Sequence, residues 1–227
     1  MTKSKKDQPQ PTQKTFAKIF DLFDAPVMKV NCGEKCAHLN EGTPVCCDVD
    51  NAIPIMQVAE WKLLKSRSDL WKAFKPYDEH TQGIVDELSD QCKAVECKGA
   101  MHCERDNRSL SCRAFPFFPY IGKDGEILGL SYYWHFEDTC WVVSNQHLVE
   151  QAFIDQFIES YEILFKKDPE EYEVFVDYSA TQRRVFSRRK QAIPILGRKG
   201  KIYLVKPKKG GIKKGSKKDL PKFDPFK

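Results

Sequence analysis

Nine cysteines stand in this chain of 227 residues, and eight of them fall into two groups. The first is Cys32-x3-Cys36-x9-Cys46-Cys47, the second is Cys92, Cys97, Cys103 and Cys112, and Cys140 stands alone beyond them. Short loops carrying two thiolates each suit a soft, tetrahedral ion, because close spacing gathers part of the coordination shell at small entropic cost. A pair from each group would close one site, joining loops roughly sixty residues apart and coupling metal binding to folding. An all-thiolate donor set selects Zn²⁺ or an iron–sulfur cluster over Mg²⁺, Ca²⁺ or a catalytic copper centre, and spacing does not choose between the first two. If the chain is extended at Cys46-Cys47, the two side chains point to opposite faces, so either one is a core thiol or the pair serves two centres. A single cysteine is more often a small buried apolar residue than a ligand, a reading that weakens for a cluster. His38, His102 and His135 lie near cysteines and read as surface groups rather than ligands, while Arg108 and Arg113 could donate to sulfur or lower cysteine pKa values, an Arg in a loop being more often an ordinary ion-pair partner.

Arrangement as well as number carries a resemblance here. The four-cysteine loop Cys32, Cys36, Cys46, Cys47, a helix acid at Glu60 before Trp61, the pair Cys97 and Cys103, and Cys112-Arg113-Ala114-Phe115-Pro116 together resemble the cysteine-cluster proteins described as zinc- or iron-chelating, the YkgJ-like family that includes flagellin lysine-N-methylase. Arg108 stands where that pattern has the Arg of an Arg-Pro step, with Ser109 in place of the proline, and Cys140 resembles a late cysteine of many members. The first spacing is three residues where the pattern has two, and Cys36 and Cys46 lie further apart than usual. The likeness extends over about residues 30–143. It implies a metal-chelating domain whose ligands are Cys32, Cys36, Cys46, Cys47, Cys97, Cys103 and Cys112, with Cys140 next, and it leaves Cys92 as a non-ligand. The methylase kinship implies protein methyl transfer as a competing function.

The elements that must position these thiols can be read from periodicity. Phe16, Ile19, Phe20, Leu22 and Phe23 predict a short amphipathic helix, and residues 30–49, rich in Gly and Pro, predict a loop rather than a helix. Apolar residues from Ile55 to Phe74 predict one helix stopped by Pro76 with a break near Ser66 to Ser68, and Ile84, Val85 and Leu88 a further short one. Residues 114–136 predict a hairpin turning at Gly122-Lys123-Asp124-Gly125, its aromatic run Phe115 to Tyr120 serving the core more than a base-stacking platform. A helix follows over residues 144–165, capped by Ser144 or Asn145, and Asp168-Pro169 opens another that ends in the basic run of residues 183–190.

Charge divides the chain. Residues 198–227 hold twelve Lys and Arg against Asp219 and Asp224, a surplus of ten, so the remainder carries −5 of the overall +5. Ile202 to Val205 predict one edge strand, and the Gly- and Lys-rich residues 208–218 predict a segment with no core of its own. The first fourteen residues are polar, with no apolar stretch behind them, which predicts a cytoplasmic protein without a membrane span, where clustered thiols are metal ligands more often than disulfides.

No nucleotide-binding glycine fingerprint, P-loop, nucleophile elbow or H-E-x-x-H zinc motif occurs, which leaves an enzyme unsupported by motif. The expected fold is α+β: a small helical domain with an antiparallel hairpin and irregular metal-binding cysteine loops over residues 15–197, between disordered tails at 1–14 and 198–227. The expected function is cytoplasmic metal binding, zinc or iron–sulfur, with nucleic-acid contact through the basic tail as a further alternative.

Overall fold

The computed structural model describes residues 9–208 and 211–227. The first eight residues of the expected N-terminal tail lie outside them. Helices and antiparallel sheets make up the chain, as expected of an α+β protein, and they divide into two compact units. One is built chiefly from Leu22–Cys32 and Pro116–Lys227, the other from Pro11–Asp21 and Gly33–Phe115.

In the cysteine-rich unit, α1 (Gln13–Leu22) begins inside the stretch expected to be a tail. Thr12 and Thr15 start it reciprocally, each backbone N–H donating to the other's hydroxyl. Its apolar stripe buries Phe16, Ile19 and Phe20. Residues 30–49, expected to be free of helix, contain the single turn α2 (Cys32–Cys36) and tight 3-10 turns at Ala37–Leu39 and Val45–Cys47. The long helix expected between Pro54 and Pro76 is three elements: β1 (Ile55–Gln57), α3 (Val58–Arg67) and β2 (Trp71–Ala73). The break foreseen at Ser66–Ser68 is real, since α3 ends at Arg67. The flanks are extended because both pair with β3 (Cys92–Cys97), a later segment whose partnership periodicity along one stretch does not show. The order is β1-β3-β2, antiparallel throughout. Between β2 and β3 lies α4 (Glu79–Asp86), capped by Asp78, whose carboxylate accepts the Thr81 N–H. The unit closes with the short helix α5 (Leu110–Ala114).

The other unit is organised by aromatic packing. The hairpin appears as expected, β4 (Phe117–Ile121) against β5 (Ile127–Tyr132), and every residue of β4 is buried. Residues 141–148 form the single turn α6 (Trp141–Ser144) and a 3-10 turn, so α7 (Gln151–Phe165) starts at Glu150 rather than at Ser144 or Asn145. It buries Phe153, Ile154, Phe157, Ile158, Tyr161 and Leu164, and Phe157 packs against Phe23, Phe153 and Tyr161 with ring centroids 4.7 to 6.0 Å apart. Asp168 caps α8 (Pro169–Arg189) by accepting the Glu171 N–H, with Pro169 at the first position as the sequence predicts. Helix α8 covers the free edge of β4: Ser179 Oγ accepts the Ile121 N–H, and Arg183 donates to the Ile121 carbonyl at 2.9 Å.

The hairpin extends into a five-stranded sheet through β6 (Ile193–Leu196), β7 (Ile202–Lys206) and β8 (Gly211–Gly215). Gly129 permits the joint between β5 and β6, because a Cβ there would stand 2.3 Å from the Leu196 carbonyl oxygen. The supposed C-terminal tail is therefore part of the fold over the described residues. Ile202 and Val205 bury one side of β7, and β8 takes the edge position predicted for β7. Low complexity concealed β8 because an outer strand needs backbone partners more than apolar side chains; its residues 211–214 are exposed.

Candidate metal centre

The thiols best placed to act together lie in the cysteine-rich unit. Cys97 ends β3, in register with Trp71 of β2, and the chain turns sharply at Gly99, whose φ of +94° is left-handed. That turn points the Gly99 N–H at the Cys97 sulfur, 3.3 Å away. Cys103 follows a 3-10 turn and receives the Arg108 Nε–H at 3.0 Å. Cys112 sits in α5, and its own N–H donates to Ser109 Oγ at 3.1 Å. The serine at the position where the YkgJ-like pattern has proline is thus a helix cap, a role proline has no side-chain oxygen to fill.

Two further contacts hold α5. Glu60, 2% exposed, reaches from α3 and accepts the Leu110 N–H at 2.6 Å, so a buried carboxylate meets the electropositive start of the helix that carries Cys112. Arg113 ties the loop from the other end, donating from Nη2 to the Asp106 carbonyl at 2.7 Å and from Nε to the Arg108 carbonyl at 3.1 Å. Its guanidinium lies 4.6 Å from the Phe20 ring of α1. Trp71 adds a bond from its indole N–H to the Asn107 carbonyl.

The first cysteine loop is knotted by Asp48. Its carboxylate accepts from the Asn40 and Asn51 amides and from the Asp50 N–H. Cys47 closes the tight turn just before it, so the extended geometry considered for Cys46-Cys47 does not apply. Instead the Cys46 side chain hydrogen-bonds Cys47 and, opposed by burial and aided by the positive charge of Arg108, brings the Cys47 thiol down to about 7.

Cys112 and Cys97 both feel the charge of Cys47 and Cys103. Burial pushes the Cys112 thiol up to about 12, with Cys47, Cys103 and Cys97 adding to the rise and Arg108 opposing it. Burial likewise raises Cys97, with Cys47 and Cys103 again contributing. Burial works against the charge of Arg108, but its bond to Cys103 and the nearness of Cys112, Cys103 and Cys47 leave its pKa raised. Among the described residues, however, no three His, Cys, Asp or Glu side chains converge as they would on a bound ion. These thiols have the chemistry of soft-metal ligands, and they do not stand as a formed coordination shell.

Cys36 is buried and its thiol lies 3.6 Å from the Gly33 carbonyl. Cys92 pairs with Gln57 at the far end of β3, five residues and roughly 16 Å from Cys97 and on the opposite face of the strand, which separates it from the four. Cys32 and Cys140 fall in the other unit, Cys140 buried at the start of α6. All nine cysteines are thiols. His135 stacks on Trp134. Asp48 and Ser109 were missed from sequence, although an Asx turn after Cys47 and a serine three residues before Cys112 are legible signals.

No protein-family model, curated protein or solved structure matches the chain.

Proposed function

We propose that the unit of residues 33–115 is a thiolate metal-binding module in which Cys47, Cys97, Cys103 and Cys112 hold Zn²⁺ or an iron–sulfur cluster. The observation that carries this reading is that three separate segments of one unit bring Cys47, Cys103 and Cys112 to Arg108, which donates to Cys103 at 3.0 Å, while Cys97 shares the field of Cys47 and Cys103. The donor chemistry fits a soft ion, and thiols that do not stand as a formed coordination shell must be drawn together on binding. Arg108 offsets part of the negative charge that four thiolates bring and orients Cys103 through its 3.0 Å bond. The Gly99 N–H orients Cys97, and Glu60 and Ser109 fix the helix that presents Cys112. Four thiolates around zinc would supply a structural clamp, whereas a cluster would supply one-electron chemistry. The resemblance to the YkgJ-like cysteine pattern points the same way.

Anaerobic purification of the untagged protein, with a visible spectrum and elemental analysis for zinc, iron and acid-labile sulfide, tests the proposal. Stoichiometric metal that is lost in C97S and in C112S, and retained in C92S, is expected. Metal-free protein that stays folded would sink it.

A further inference from the structure

We propose that a basic cleft in the other unit binds nucleic acid through its phosphodiester backbone, independently of the thiols. The cleft, about 390 Å³, lies between α8, the β4–β5 turn and the segment after β7, and Lys123, Arg183, Arg184, Ser187, Arg188 and Pro207 line it. Four cations face it and no carboxylate does. Among the described residues none of the four forms an ion pair, whereas Arg189 and Arg198 in the same unit are each held by two bonds to a glutamate. Cations at the end of α8 complement its dipole, which accounts for charge in its last turn. It does not account for Lys123 on a different element, or for like charges on successive turns at Arg184 and Arg188, a spacing that disfavours a helix.

Two of the four cations are also ordered in advance. Arg183 is half-buried, donates to the Tyr120 hydroxyl and the Ile121 carbonyl, and lies 5.6 Å from the Tyr120 ring centroid. Arg184 donates to Thr181 Oγ1 at 2.7 Å. Fixed guanidiniums with donors to spare match phosphate oxygens. Exposed Lys208 follows Pro207 along the chain and adds a further positive charge beside the lining residues. No aromatic side chain lines the cleft, so it offers a phosphate backbone charge and a base nothing to stack on. A polymer read without regard to sequence fits this better than a free nucleotide. The interface that composition assigns to a terminal tail is thereby moved to a formed cleft at α8.

Fluorescence anisotropy of full-length protein with labelled single-stranded RNA and single-stranded DNA, between about 50 and 200 mM salt, tests the inference. Wild-type affinity should fall steeply with salt. In the double variant R184E/R188E it should drop at least about tenfold at the lower salt, with the slope of log K on log salt reduced by about 1.4, two contacts at about 0.7 each. K123E, away from the helix, should weaken binding as well, and the melting temperature of each variant shows that it folds. Tighter binding of one polymer identifies it as the natural source of the phosphodiester. Failure of the wild type to bind either polymer would overturn the proposal, as would full affinity in R184E/R188E. Loss confined to the β8 variant K213E/K214E would place the contact on the edge strand. Displacement by inorganic pyrophosphate as effective as unlabelled oligonucleotide would mean a small-anion site, and either result would also overturn it.

Discussion

The two units keep their shape by different means. The unit of residues 22–32 and 116–227 has a five-stranded sheet, two long helices and a core in which Phe23, Phe117, Phe153, Phe157 and Phe186 are almost wholly buried. Apolar burial at about 25 cal/mol per Å² accumulates quickly over such side chains. The unit of residues 33–115 has strands of three, three and six residues, and its cysteine loops rely on single polar contacts such as Glu60 to Leu110, Arg113 to Asp106 and Trp71 to Asn107. A segment held by a few directed bonds depends on each of them more than a packed core does. A bound ion has most to add where the apolar core is least extensive.

That contrast can be broken at several points. The largest effect is expected from removing the proposed metal: chelation should open residues 33–115 to limited proteolysis while 116–227 stays protected, and mass spectrometry of the fragments shows which unit is cut. Uniform cleavage of both units would erase the distinction. Next, Phe157→Ala, in the middle of the aromatic core, should cost about 3–5 kcal/mol by denaturant titration while leaving the metal content unchanged. Glu60→Ala should cost about 1–3 kcal/mol, because it leaves the buried Leu110 N–H without its acceptor, and it should loosen metal retention as well. Equal metal retention in that variant would separate the α5 cap from the thiols.

The smallest effect concerns pH. Asp78 accepts the Thr81 hydroxyl and N–H, and these bonds hold its carboxyl below the ordinary value of 3.8. A depressed folded pKa contributes stability above the unfolded value and loses it as pH falls through the folded one. Stability should therefore decline below about pH 4, and Asp78→Asn should flatten that decline slightly, since the group is exposed.

What could be read from the sequence followed the range of the forces involved. Helices α1 and α8 and the β4–β5 hairpin are set by local periodicity, caps and turn residues and were legible to within a few residues at their ends, whereas α7 was legible in its face and its end but begins seven residues later than Ser144. Ile55–Gln57 and Trp71–Ala73 were misread as helix because their strand state depends on β3, whose sequence lies beyond both. Strand β8 escaped for a related reason: lysine and glycine carry no burial signal, and only the ladder with β7 makes them a strand. At the site, cysteine type and grouping pointed to thiol chemistry, but which four share a field depended on the Gly99 turn, the Ser109 cap and Arg108. Opposite-facing side chains at Cys46-Cys47 require an extended backbone, and the tight turn over Val45–Cys47 removes that condition.

The two borders of the large sheet face the same hazard, since an open row of amides and carbonyls invites another chain to add on. At β4 the hazard is removed within the fold: Pro119 has no N–H to offer, and Ser179 and Arg183 of α8 occupy the Ile121 groups. At β8 no further strand pairs among the described residues, and the positive charges of Lys213 and Lys214 are its guard. Chemistry that neutralises those two amines, lysine acetylation for example, would leave Gly-Ile-Lys-Lys-Gly as an uncharged template. Sheet-to-sheet growth into fibrils would then begin at the C-terminal border of the molecule and spare the N-terminal one.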